Sequence, residues 1–95
     1  MNQNWFFYIL ICSDSTLYSG ITNDIDERIK KHNAGTAAKY TRGRRPVIMV
    51  YSETLARMSE ARLREEHVKR LPKAKKEQLI TKSDLSFSSP WRGED

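Results

Sequence analysis

The chain is poor in cysteine and histidine. Cys12 is the only cysteine among the 95 residues, and His32 and His67 are the only histidines. A single thiol excludes an internal disulfide and a zinc site built from several cysteines. A free thiol fits a reducing compartment, so we expect the protein to act in the cytoplasm.

Long apolar runs are also missing. The longest aromatic and branched run, Trp5–Cys12, is far shorter than the roughly 20 apolar residues that span a bilayer. No positive charge precedes this run, as a secretory signal peptide would require. We therefore expect no membrane partner. The chain contains no internal repeat.

Acidic residues are absent from a long central stretch. No Asp or Glu lies between Arg28 and Ser52, and the whole chain carries a net charge of +5. The loop Thr36–Arg45 combines small and basic residues, a clustering that is typical of a surface for a polyanion. We predict that a phosphate backbone follows this loop, with Tyr40 near a sugar or a base. The predicted nucleic-acid-binding residues are Lys39, Tyr40, Arg42, Arg44 and Arg45. The alternative is a solvated loop that is basic for solubility.

Two tyrosines lie on what the pattern predicts to be one β-hairpin. The apolar run has the composition of a buried strand, and turn residues around Asp14 connect it to a second candidate strand, Thr16–Thr22. If the turn centres on Asp14, Tyr8, Tyr18 and Gly20 share one face of the sheet. Gly20 would then lie opposite Tyr8 and leave space above it. Alternatively, both tyrosines are ordinary core or cross-strand residues.

A short helix follows the hairpin. Asp24 is expected to cap its start, and Gly35 is expected to end it after about Asn33. Arg28 and His32 lie on the same stripe as the two isoleucines of this helix. An arginine that faces the sheet needs a counter-anion, and a substrate phosphate would be one. Alternatively, Arg28 extends to the helix edge and His32 caps the last turn.

The motif residues occur in a fixed order along the chain. They are Phe6-Phe7-Tyr8, Tyr18-Ser19-Gly20, Thr22-Asn23-Asp24, Arg28, His32 and a later helix over Ser59–Lys69. This order and its spacings resemble the GIY-YIG nuclease superfamily over about residues 5–80. The resemblance is to its small stand-alone bacterial branch.

The resemblance implies a metal-dependent endonuclease that hydrolyses phosphodiester bonds in DNA, in repair or recombination, with RNA and branched junctions left open as substrates. The implied catalytic residues are Tyr8, Tyr18, Arg28, His32 and Glu65. It leaves open whether Tyr8 or Tyr18 is the general base. The excision-repair branch has a lysine just after the glycine of the second triplet. The present chain has Ile21 there, which argues against a lysine-assisted Tyr18.

One carboxylate lies on the apolar side of the later helix. The apolar stripe of this helix consists of Met58, Ala61, Val68 and Leu71. Glu65 falls inside the stripe, whereas Glu66 points nearly the opposite way. A buried carboxylate needs a cation or donors, and the resemblance makes Glu65 the metal ligand. With so few imidazoles and thiols, we expect a hard cation, Mg²⁺ or Mn²⁺. The alternative is an ion pair of Glu65 with Arg28 or Lys69.

These elements predict one α/β domain over residues 1–80, with a small, mainly antiparallel three-stranded sheet flanked by helices. The third strand is predicted over Pro46–Tyr51, and the resemblance implies that it pairs beside the first strand. A final helix is predicted from Pro72 to about Ile80. Residues 81–95 are Ser-rich and lack periodicity, so we expect a mostly disordered tail.

Two other classes of function fit parts of the sequence. A non-catalytic nucleic-acid-binding module on the same scaffold is one. Binding phosphate requires only the basic residues, so the two tyrosines together with Arg28 and Glu65 argue against it. A protein-interaction module that uses Phe87 and Trp91 has only the tail in its favour. We expect sequence specificity to be low or supplied by a protein partner.

Overall fold

The computed structural model describes residues 4–83. The elements in chain order are β1 (Trp5–Ile11), β2 (Leu17–Thr22), α1 (Ile25–Ala34), α2 (Lys39–Arg42), β3 (Ile48–Leu55), α3 (Met58–Lys69) and α4 (Lys73–Ser83). They form an antiparallel three-stranded sheet with flanking helices, as the sequence predicted. None of the helices within this range is long and apolar enough to cross a membrane.

The sheet has the strand order β2-β1-β3, so β3 pairs beside β1 as expected. In the hairpin, Tyr8 lies opposite Gly20 and Leu10 lies opposite Tyr18. Asp14 fixes the turn, because its Oδ1 accepts hydrogen bonds from the backbone N–H and the hydroxyl of Thr16 at 3.1 and 2.6 Å. The predicted hairpin register is therefore confirmed.

The two faces of the sheet bury different side chains. Phe7 and Ile9 point to one face and pack with Val68 of α3 and Ile80 of α4. Tyr8, Leu10 and Cys12 point to the other face, where Ile29 of α1 packs against them. Because successive side chains of a strand alternate between faces, β1 is buried on both sides. Tyr8 is thus held in the core beneath α1.

Helix α1 has the ends that the sequence predicted. Asp24 is its N-cap, and the Asp24 Oδ1 accepts a hydrogen bond from the Glu27 N–H at 3.1 Å. Gly35 ends the helix with a left-handed φ of 85°, which a glycine adopts without strain. These ends place Arg28 and His32 on the turns that face the sheet.

Strand β3 differs from its prediction. It covers Ile48–Leu55 and not Pro46–Tyr51, because its pairing with β1 continues until Leu55 faces Trp5. The polar composition of residues 52–54 suggested that the strand had ended. Glu53 is nevertheless accommodated there by an ion pair with Arg64 of α3.

Three helical details also differ from the sequence predictions. The loop Thr36–Arg45 contains the short helix α2. Met58, which we placed in the buried stripe of α3, is 42% exposed because it is the first residue of the helix. Helix α4 continues past the buried Ile80 to Ser83, so residues 81–83 are helical and do not belong to the tail. The predictions for Phe87 and Trp91 lie outside the described residues.

Candidate active site

Tyr8 is the buried centre of the site. Its side chain is 3% exposed, and its hydroxyl lies directly over Gly20. A Cβ atom at Gly20 would be only 2.5 Å from the Tyr8 Oη. The close approach of the phenol therefore requires glycine at the position opposite Tyr8. This is the space that the hairpin register predicted, and the Tyr8 ring fills it.

The Tyr8 hydroxyl is hydrogen-bonded to a buried imidazole. The Tyr8 Oη lies 2.9 Å from the Nε2 of His32, and the Nδ1 of His32 lies 2.8 Å from the Oγ1 of Thr41. Both His32 and Thr41 are almost fully buried. His32 therefore does not cap α1 with its side chain but connects the sheet to α2.

Electrostatics keep both partners of this hydrogen bond neutral. Burial raises the pKa of Tyr8, and the nearby Tyr18 and Glu65 raise it further, while the charge of Arg28 opposes them. Burial and then Arg28 lower the pKa of His32 below its ordinary value of 6.5. At neutral pH, a protonated phenol thus faces an uncharged imidazole.

Tyr18 borders the same imidazole. Its ring meets the His32 ring edge-on at a centroid distance of 5.2 Å. On α2, Tyr40 stacks on Tyr18 at 5.7 Å, and the Arg44 guanidinium lies 4.0 Å from the centre of the Tyr40 ring. Tyr40 therefore packs against the site while remaining 38% exposed, and its contact with a sugar or a base stays a prediction.

Arg28 supplies a positive charge to the site. It is half-buried, and within residues 4–83 its guanidinium makes no hydrogen bond or ion pair. Its charge acts on the pKa values of both Tyr8 and His32, which places it beside them. A half-buried guanidinium in this position is available to an incoming anion.

Glu65 is the carboxylate of the site. Its side chain is only 19% exposed, and its Oε2 forms an ion pair with the Lys69 Nζ at 3.2 Å. The ion pair with Lys69 that we considered as an alternative is therefore present, whereas the one with Arg28 is not. The charge of Glu65 also raises the pKa of Tyr8.

A metal centre made of protein ligands alone does not fit these residues. Within the described part of the chain, no group of three or more His, Cys, Asp or Glu side chains lies together. Magnesium, however, is commonly held by one or two carboxylates, waters and the phosphates of its substrate. Glu65 fits that donor set as the single carboxylate, with an exposed lysine as its present partner.

The basic loop is divided between structural and exposed residues. Arg45 donates to the backbone oxygens of Arg42 at 2.8 Å and Asn33 at 3.3 Å, which secures the end of α1. Arg44 donates to Asp14 at 3.0 Å and to the Tyr40 oxygen at 2.8 Å, which ties α2 to the hairpin turn. Lys39 and Arg42 are exposed, and their side chains make no such bonds within residues 4–83. Arg42 and Arg45 border an open groove of about 500 Å³.

Sequence reasoning missed two parts of this arrangement. Thr41 looked like an ordinary polar loop residue, and no sequence signal linked it to His32. On the opposite face, Arg64 donates to both carboxylate oxygens of Glu53 at 2.8 Å. Burial and a hydrogen bond to Glu53 raise the pKa of Tyr51 to about 12. This second cluster joins β3 to α3 at the residue next to Glu65.

Comparison with known proteins agrees with the geometry. The family model for the GIY-YIG catalytic domain matches residues 4–78. The chain belongs to the GIY-YIG family. This family is a nuclease superfamily whose members generally use divalent metals, which supports an endonuclease and a nucleic-acid substrate in general terms.

The relatives of this GIY-YIG domain are small proteins. A UPF0213 protein of Desulfotalea psychrophila is 48% identical over 86 residues, which cover 90% of this chain and 78% of the relative. The solution NMR structure of a UPF0213 protein from Bacillus halodurans has a TM-score of 0.54 and 42% identity, covering 90% of this chain and 99% of that one. A second NMR structure, of a protein from E. faecalis, has a TM-score of 0.60 and 38% identity over 90% and 92% of the two chains. The UPF0213 names specify no activity.

Proposed function

We propose that this GIY-YIG domain is a metal-dependent endonuclease that hydrolyses phosphodiester bonds in DNA. The observation that carries the proposal is the buried hydrogen bond between the Tyr8 hydroxyl and His32, 2.9 Å long, with Arg28 and Glu65 close by. A protein that only bound phosphate would gain nothing from a buried phenol–imidazole pair beside its basic surface.

Tyr8 is the general base in this proposal, acting together with His32. The raised pKa of Tyr8 makes a free phenolate too rare at neutral pH to activate water. The pair avoids forming a phenolate anion if the Tyr8 Oη accepts a proton from water while the proton of Tyr8 passes to the His32 Nε2. One water O–H bond breaks, one imidazole N–H bond forms, and the hydroxide attacks phosphorus. In the proposal, the hydroxyl of Tyr18, whose ring meets the same imidazole edge-on, orients the water.

Arg28 and Glu65 act on the phosphate. The guanidinium of Arg28, which has no ion-pair partner within residues 4–83, binds a non-bridging oxygen and balances the charge that develops there. Glu65, freed from its ion pair with Lys69, would hold Mg²⁺ or Mn²⁺ together with the substrate. The cation supplies positive charge against the phosphate and the leaving oxygen.

The nucleic acid reaches this site along exposed basic residues. Lys39 and Arg42 contact its backbone in the proposal, since Arg44 and Arg45 already hold protein oxygens. Contacts of this kind carry no sequence information, so specificity is low or comes from a protein partner. We place the activity in DNA repair or recombination in the cytoplasm, where the free thiol of Cys12 would stay reduced.

The direct test is cleavage by the pure protein. Supercoiled plasmid, single-stranded DNA, branched DNA and RNA are each incubated with Mg²⁺, Mn²⁺ or EDTA. We expect cleavage of DNA with metal and none with EDTA. Glu65→Gln, purified in parallel, controls for contaminating nucleases. Binding without cleavage of any substrate would contradict the proposal and support the non-catalytic module.

A further inference from the structure

Thr41 lies at the far end of the hydrogen bonds that start at Tyr8. Its side chain is fully buried in α2, although the residue is polar. Its Oγ1 lies 2.8 Å from the His32 Nδ1 and 3.3 Å from the backbone oxygen of Ala38. Nothing in the sequence motif requires a hydroxyl here, so the contact needs its own explanation.

The partners of Thr41 favour one placement of the protons. The Ala38 oxygen can only accept, so the Thr41 hydroxyl donates its single proton to it. With its proton donated to the Ala38 oxygen, Thr41 has only lone pairs for His32, and the 2.8 Å contact is then made by a proton on the His32 Nδ1. A neutral imidazole has one N–H, so its Nε2 carries the lone pair that accepts from Tyr8.

The ring orientation of His32 is fixed by the same contacts. Both ring nitrogens face oxygen atoms, and a flipped ring would put carbon atoms against Tyr8 and Thr41. The edge-on contacts with the Tyr8 and Tyr18 rings, at 5.9 and 5.2 Å, restrict the ring plane further. With the ring orientation fixed, only the tautomer of the imidazole can still vary. Thr41 contacts the Nδ1, and the tautomer depends on whether that nitrogen carries the proton.

We propose that Thr41 is a positioning residue that holds His32 in the Nδ1–H tautomer, so that the Nε2 is free to receive the proton of Tyr8. This inference rests on the proposed function for its catalytic meaning. With the opposite tautomer, an Nε2–H would point at the Tyr8 Oη, and the proton of Tyr8 would have no acceptor. Thr41 would thus give the proton transfer its direction without touching the substrate.

The tautomer can be measured without any activity. In protein labelled with ¹⁵N-histidine, the ring nitrogens of a neutral imidazole give distinct shifts for protonated and bare nitrogen. At a pH above 7, we expect His32 to show a protonated Nδ1 and a bare Nε2. The exposed His67 is the internal reference. A parent protein whose His32 shows a protonated Nε2 overturns the inference, whether or not any variant folds.

Matched variants test the role of the hydroxyl. Thr41→Val keeps the shape of the side chain, and we expect it to shift His32 toward the Nε2–H tautomer and to lower kcat at least about tenfold with KM for DNA unchanged. Thr41→Ser restores the hydroxyl and should restore both readouts. A valine variant that keeps the parent tautomer overturns the inference. A parent protein that shows the Nδ1–H tautomer but never cleaves nucleic acid overturns the proposed function instead, so the two failures are distinct.

Discussion

The contact between Tyr8 and Gly20 allows a substitution on β2 to test the hydrogen bond between Tyr8 and His32. In Gly20→Ala, the new Cβ would lie 2.5 Å from the Tyr8 Oη and 2.7 Å from its Cζ. Ordinary contacts between such atoms begin near 3.4 Å. The phenol must therefore move by about 1 Å, and its 2.9 Å hydrogen bond with His32 does not survive such a displacement.

The magnitudes follow from this displacement. Overpacking a well-packed core costs about 1–3 kcal/mol. For a domain of this size, that lowers Tm by roughly 5–20 °C. Misplacing a catalytic group by about 1 Å lowers the rate by about a hundredfold. We expect Gly20→Ala to remain folded but to lose cleavage to that extent.

Thermal unfolding and single-turnover cleavage of the same preparations are the assays. Gly43→Ala is the control for unfolding, because a Cβ there meets no atom within 4 Å. It should leave Tm within a few degrees of the parent value. A Gly20→Ala protein that cleaves at the parent rate would refute the placement of the Tyr8 hydroxyl as the base.

Three further predictions address the carboxylate, the nucleic-acid path and the second cluster. Glu65→Gln should abolish metal-dependent cleavage while DNA binding and thermal stability hold. Glu66→Gln changes its exposed neighbour and should leave cleavage nearly intact. The reverse pattern would mean that Glu65 is not the metal ligand. The double variant Lys39→Ala, Arg42→Ala should reduce the log–log salt slope of DNA binding by about 0.7–0.9 for each lost phosphate contact, and an unchanged slope would exclude these residues from the path. The second cluster gives a pH prediction. Burial acts to raise the pKa of Glu53, but the bidentate ion pair with Arg64 and the hydrogen bond from Tyr51 lower it below its ordinary 4.5. The resulting stabilisation is present above pH 4.5 and is lost as pH falls through the folded-state pKa, so pH-dependent unfolding of Glu53→Gln should show a smaller loss below pH 4.5 than the parent.

The parts of the fold that local chemistry determines could be predicted from the sequence. Alternation along two strands and turn residues around Asp14 gave the register that sets Tyr8 opposite Gly20. A capping aspartate and a left-handed glycine gave the ends of α1. The helical period separated Glu65 from Glu66, and the structure agrees, with Glu65 partly buried and Glu66 exposed.

Contacts between residues that are distant along the chain could not be predicted from the sequence. The strand end at Leu55 depends on pairing with Trp5, and the polar residues before it gave the opposite signal. The bonds of Arg44 and Arg45 to protein oxygens could not be predicted, because a basic residue in a sequence does not reveal its partner; their contacts with phosphate stay a prediction. The contact of Thr41 with His32 spans nine positions and two helices, and no periodic pattern could reveal it. These three cases are tertiary contacts that override local composition.

The central claim is that the Tyr8 hydroxyl takes a proton from the attacking water. Tyr8→Phe removes only that oxygen, and single-turnover cleavage of plasmid DNA with Mg²⁺ measures its effect. Tyr51→Phe is the matched control, because Tyr51 lies in the cluster with Glu53 on the other face of the sheet. We predict that Tyr8→Phe folds and binds DNA but cleaves at least about a hundredfold more slowly, while Tyr51→Phe cleaves at nearly the parent rate. Cleavage by a folded Tyr8→Phe protein at the parent rate would contradict the account.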